Sequence, residues 1–97
     1  MYYNARSLLP KFDHLILSIA TYSPHIVCIV ETWLCSEINS SEIDIPGYQL
    51  YRKDRNRQGG GVLMYVTDCM LVSMFPDPGP HLELLTLSVR FNNFKVN

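Results

Sequence analysis

An unbroken apolar run, Ile-Val-Cys-Ile-Val at residues 26–30, ends directly at Glu31. A strand with one solvent-exposed face would alternate apolar and polar residues, so this run predicts a strand buried on both faces. Glu31 then lies where the strand leaves the core. Open α/β sheets bind ligands beyond the ends of their strands, which makes Glu31 a candidate site residue. The alternative is a carboxylate that pairs with a nearby arginine or caps the next turn.

A helical pattern precedes this run. Ser7 is a candidate N-cap, and Pro10 is tolerated in a first helical turn because the amide that proline lacks has no partner there. The pattern predicts an amphipathic helix over residues 8–22, with residues 1–3 as the end of an earlier strand. The apolar residues expected to pack on the sheet are Leu8, Phe12, Leu15, Ile16 and Ile19.

The second half of the chain has a strand pattern. Residues 48–52 and 62–66 predict a β-hairpin, and residues 82–91 predict a further strand. Three consecutive glycines at residues 59–61 indicate either the hairpin tip or a place where backbone approaches a phosphate. The tip is favoured because no phosphate-loop pattern is present. Residues 35–47 form a predicted loop that closes with a Pro-Gly turn.

Length and composition limit the class of protein. Ninety-seven residues make one domain at most, or part of a larger one, and 47% hydrophobic content is typical of a folded chain. A net charge of −1 gives no general attraction to nucleic acid, but half of the eight Lys and Arg residues fall within residues 52–57. Three cysteines without C-x-x-C spacing support neither a disulfide framework nor a zinc site. With no signal or membrane-spanning pattern, we expect an intracellular protein of the nucleus or cytoplasm.

The order of the motifs resembles the endonuclease domain of non-LTR retrotransposons. Asn-Ala-Arg-Ser-Leu at residues 4–8 is followed by the helix, by Glu-Thr-Trp-Leu at 31–34, by Ile-Pro-Gly-Tyr at 45–48, and by Arg-x-Asp-Arg and Gly-Gly-Gly-Val at 52–55 and 59–62. That domain belongs to the endonuclease/exonuclease/phosphatase superfamily, which includes the apurinic endonucleases. The resemblance implies an α/β fold, the N-terminal part of a four-layer α/β sandwich, and metal-dependent hydrolysis of DNA phosphodiesters.

Specific residues carry the implied chemistry. By resemblance, Asn4 lies beside the metal and the scissile phosphate, and Glu31 binds the metal, so both are expected metal-binding and catalytic residues. Mg²⁺ is the implied ion, since it prefers oxygen ligands and is commonly held by one or two carboxylates plus substrate phosphate. Arg55 and Arg57 lie in the basic, glycine-rich segment and are the expected contacts to DNA phosphates.

The chain also departs from the family pattern. The downstream Asp-x-Asn and Ser-Asp-His motifs are missing, and His25 stands where the family commonly has Asp. We therefore expect a fragment that binds Mg²⁺ weakly and does not cleave DNA alone, with the missing C-terminal half of the domain as its partner. The alternative is a non-catalytic relic or interaction fragment that binds protein or nucleic acid. An uncovered sheet face would also favour self-association.

Overall fold

The computed structural model describes residues 1–55, 60–75 and 87–91. It contains one mixed four-stranded sheet and one two-stranded antiparallel sheet. The strand order in the larger sheet is β1-β2-β4-β3, and β5 pairs with β6 in the smaller sheet. The elements are β1 (Tyr2–Asn4), α1 (Phe12–Tyr22), β2 (Ile26–Val30), β3 (Tyr48–Lys53), β4 (Val62–Thr67), β5 (Met70–Met74) and β6 (Leu87–Phe91), with 3₁₀ turns at Leu9–Lys11 and Ser40–Ile43.

The β-α-β beginning expected from the sequence is confirmed. β1 and β2 are parallel neighbours, and α1 forms the connection between them. The predicted hairpin is confirmed as the antiparallel pair of β3 and β4, whose tip at residues 56–59 lies outside the described residues. Because β4 also pairs with β2, the apolar Ile26–Val30 strand is an interior strand, as predicted.

The helix begins later than its sequence pattern indicates. Residues 9–11 form a 3₁₀ turn that contains Pro10, and α1 starts at Phe12. Ser7 is not the N-cap, because its backbone is in a left-handed conformation with φ of 81° and the helix has no side-chain cap. The chain here runs alongside residues 31–32 through backbone hydrogen bonds, and this pairing overrides the local capping preference.

The packing face of α1 is narrower than predicted. Leu8, Leu15 and Ile19 are buried, and Phe12 packs against the core, but Ile16 is 39% exposed. Successive helical residues are rotated by about 100°, so Ile16 lies at the margin of a stripe centred on Leu15 and Ile19. The prediction that Ile16 packs on the sheet is therefore wrong.

β2 is not buried equally on both faces. Val27 and Ile29 are fully buried under α1 and the 32–45 segment, whereas Ile26, Cys28 and Val30 are only half buried. The prediction of a strand buried on both faces therefore holds fully for one face only, the face on which α1 packs. The second face presents half-buried apolar side chains.

Two further points concern the rest of the chain. The sequence pattern does not predict β5. Of the strand predicted at residues 82–91, residues 87–91 form β6, and residues 82–86 lie outside the described residues.

None of the helices in the described part of the chain has the length and apolar character needed to cross a bilayer.

Candidate functional site

Asn4 and Glu31 lie close together at the carboxyl ends of two neighbouring strands, β1 and β2, of the larger sheet. β1 and β2 run parallel with Asn4 opposite Val30, so the residue after Val30 lies at the same edge as Asn4. Both residues line an open cleft of about 340 Å³. Among the described residues, those that line it are Asn4, Val30, Glu31, Arg55, Gly60 and Val62. The two residues assigned from sequence motifs therefore share one cleft.

The Glu31 carboxylate is held by two hydrogen bonds. The indole Nε1 of Trp33 donates to Oε2 at 3.0 Å, and the backbone N–H of Gly60 donates to the same oxygen at 3.1 Å. These bonds, first the indole and then the amide, lower the pKa of Glu31. Desolvation is the next largest effect and opposes them, and the positive charges of Arg55 and Arg6 lower the pKa further by smaller amounts. Glu31 is thus a carboxylate anion at neutral pH.

The backbone around the cleft has an unusual conformation. Arg6, Ser7, Glu31 and Trp33 all have positive φ, at 45°, 81°, 57° and 55°. Backbone N–H groups of Ser7 and Leu8 donate to the carbonyls of Glu31 and Thr32, each at 2.9 Å, so the two strained segments support one another. Strained non-glycine residues cluster at functional sites because the surrounding structure must hold them there. Residue types alone gave no signal of this conformation.

The glycine segment has a role that the sequence interpretation missed. Gly60 and Gly61 accept backbone hydrogen bonds from Trp33 at 2.8 Å and from Thr32 at 3.4 Å. A Cβ at Gly61, where φ is 94°, would overlap the hydroxyl oxygen of the buried Thr32. Gly60 and Gly61 therefore pack against the segment that carries Glu31, and they also connect the hairpin tip to β4.

The basic cluster is divided between two tasks. Arg55 lines the cleft, while Arg57 lies outside the described residues. Arg52 instead donates to the carbonyl oxygens of Cys35 at 3.0 Å and Ile38 at 2.7 Å, and forms a 2.5 Å ion pair with Asp54. Arg52 thus fastens the loop that follows Trp33 to strand β3.

We expect Arg52→Met to lower the free energy of unfolding by about 2 kcal/mol, because it leaves partly buried carbonyls without their charged donor. Arg52→Lys should recover little of this loss, since an ammonium cannot reproduce the planar fork that reaches two carbonyls and a carboxylate. Urea denaturation measures both values. Arg90, an exposed arginine on β6, provides the control: Arg90→Met should change stability little. Equal stability of wild type and Arg52→Met would contradict this role.

The donors at the cleft suit a hard divalent cation with few protein ligands. Glu31 supplies one carboxylate and Asn4 an amide oxygen, and Mg²⁺ commonly binds through one or two carboxylates while it keeps several waters. Within residues 1–55, 60–75 and 87–91, no group of three or more His, Cys, Asp or Glu side chains is placed to hold a metal. The residues present fit a partial metal site.

Comparisons with known proteins place the fold. No family model matches the sequence. No curated protein matches it either. Among solved structures, the chain is similar to the AP endonuclease LMAP from Leishmania major, with a TM-score of 0.70 at 16% sequence identity. The match covers 93% of this chain and 34% of the Leishmania chain. The chain therefore has the fold of part of an AP endonuclease, with mixed sheets and few helices, and spans about a third of the length of that protein.

Proposed function

We propose that this chain is the N-terminal part of a metal-dependent phosphodiesterase domain of the endonuclease/exonuclease/phosphatase type, close to the retrotransposon endonucleases. One observation carries the proposal. Asn4 and Glu31, assigned from the order of sequence motifs, end adjacent parallel strands and line one cleft with Arg55. The similarity of the fold to part of an AP endonuclease supports the same conclusion.

The described residues suggest a division of labour. Glu31 would hold Mg²⁺ with the help of Asn4, and the bound ion would offset phosphate charge and orient a water. The Arg55 guanidinium lies on the same cleft, where it would contact a DNA phosphate. The described residues of the lining include one carboxylate and no histidine, so a general acid and base would be supplied by residues other than these. In a four-layer sandwich, a second sheet would cover the half-buried face of β2.

A second candidate is a non-catalytic interaction fragment. Leu71, Met74 and Phe75 are exposed on and just after β5, and the β2 side chains on the second face of the larger sheet are only half buried. Large exposed apolar patches are typical of surfaces that bind another protein. Self-association through these surfaces, and an intracellular location, stay predictions.

Binding of Mn²⁺, a spectroscopic substitute for Mg²⁺, tests the proposed site. We expect the wild-type chain to bind Mn²⁺ with a dissociation constant on the order of 1 mM, because one carboxylate and one amide are weak ligands. Glu31→Gln should weaken binding at least about 10-fold, since it removes the only charged ligand in the described lining. Electron paramagnetic resonance of free Mn²⁺ measures both constants.

The matched control is Glu37→Gln, which removes an exposed carboxylate from the neighbouring loop. We expect Glu37→Gln to bind Mn²⁺ as the wild type does. If Glu31→Gln also binds like the wild type, Glu31 is not the metal carboxylate and the proposed site is wrong.

A further inference from the structure

The exposure and the backbone conformation of Trp33 are both unfavourable for a tryptophan, which suggests that its indole has a specific role. Its side chain is 47% exposed, and its backbone φ is 55°, in the left-handed region. Exposure leaves much of a large apolar ring in water, and a left-handed conformation costs on the order of 1 kcal/mol for a non-glycine residue. Packing in the core does not account for this placement.

The hydrogen bonds of Trp33 form a closed arrangement around Glu31. The backbone N–H of Trp33 donates to the carbonyl of Gly60 at 2.8 Å, and the N–H of Gly60 donates to Glu31 Oε2 at 3.1 Å. The indole Nε1 of Trp33 donates to the same Oε2 at 3.0 Å. The side chain and the backbone of Trp33 therefore act together on one carboxylate oxygen.

We infer that Trp33 is a positioning residue for the metal-binding carboxylate, and that its indole N–H sets the orientation in which Glu31 meets the cation. This inference rests on the proposed function, because it assigns Trp33 to the same site. Two donors on Oε2 restrict rotation of the carboxylate and leave its other oxygen as the one that would bind the cation. Groups that orient metal ligands through hydrogen bonds typically change metal affinity by about 10- to 100-fold when they are removed.

Trp33→Phe removes the indole N–H and keeps an apolar ring at the same position. We expect this variant to bind Mn²⁺ about 10-fold more weakly than the wild type, with an unchanged urea midpoint. Since Trp33 is the only tryptophan of the chain, its indole N–H gives a single NMR signal, which should shift in Glu31→Gln.

The outcomes separate the inference from the proposed function. If Glu31→Gln loses Mn²⁺ binding while Trp33→Phe binds like the wild type, the positioning role is wrong and the proposed metal site stands. If Glu31→Gln binds Mn²⁺ normally, the metal site is wrong and the inference is overturned with it. If Trp33→Phe does not fold, the indole N–H signals of the wild type and of Glu31→Gln are compared instead. An indole signal with the same chemical shift in both proteins overturns the inference.

Discussion

Glu31→Gln should lower Mg²⁺-dependent nicking of plasmid DNA on the order of 1000-fold once the chain is joined to the rest of a nuclease domain. If Glu31 is the metal carboxylate, its loss would remove several kcal/mol of charge stabilisation at the phosphate, and each 1.4 kcal/mol or so corresponds to a factor of about ten in rate. The suitable partner is the remaining part of an AP endonuclease such as the Leishmania protein, of which this chain spans 34%. Conversion of supercoiled to open-circular plasmid measures the rate.

Three comparisons make this nicking experiment specific. Asn4→Ala should also reduce nicking strongly, because Asn4 lines the same cleft, whereas Glu37→Gln should leave the rate unchanged. The 97-residue chain alone should remain at background, since its described cleft supplies one carboxylate and no histidine. Robust nicking by the chain alone, or full activity of joined Glu31→Gln, would show that the fragment or the carboxylate has been assigned wrongly.

Much of the fold follows from local pattern. The apolar run at Ile26–Val30 favours an interior strand, because β-branched and apolar side chains suit a strand that other elements cover. The alternating segments that became β3 and β4 pair in the expected antiparallel hairpin. Parallel pairing of β1 with β2 then brings Asn4 and Glu31 to one edge, so the central pair of the site could be predicted from motif order.

The remaining features depend on tertiary contacts that a residue pattern does not contain. Ile16 satisfies helical periodicity, but its burial depends on how α1 is rotated against the sheet. Positive φ at Ser7, Glu31 and Trp33 arises where two adjacent segments are held by backbone hydrogen bonds. The two donors to Glu31 Oε2 likewise come from different parts of the chain: Trp33 is two positions away along the sequence, and Gly60 is 29 positions away. One such donor is a backbone amide, which has no side-chain identity to detect.

At Gly61 these tertiary contacts impose a strict requirement on residue type. It combines a φ of 94° with a Cβ direction that points at the hydroxyl of buried Thr32. We expect Gly61→Ala to lower the free energy of unfolding by about 3 kcal/mol, with roughly 1 kcal/mol from the left-handed backbone and about 2 kcal/mol from steric overlap. Urea denaturation measures the loss, and the Trp33 indole signal should move because Gly60 and Gly61 hold its segment.

Gly47 provides a matched control for the backbone contribution. Its φ is 87°, close to that of Gly61, but a Cβ there would meet nothing within 4 Å. Gly47→Ala should therefore cost only about 1 kcal/mol, the backbone part alone. In the double variant Gly61→Ala with Thr32→Ala, removal of the hydroxyl should make the combined loss smaller than the sum of the two single losses by about 1 kcal/mol or more. Equal losses for Gly61→Ala and Gly47→Ala, with strictly additive effects in the double variant, would show that close packing on Thr32 does not set the requirement for glycine.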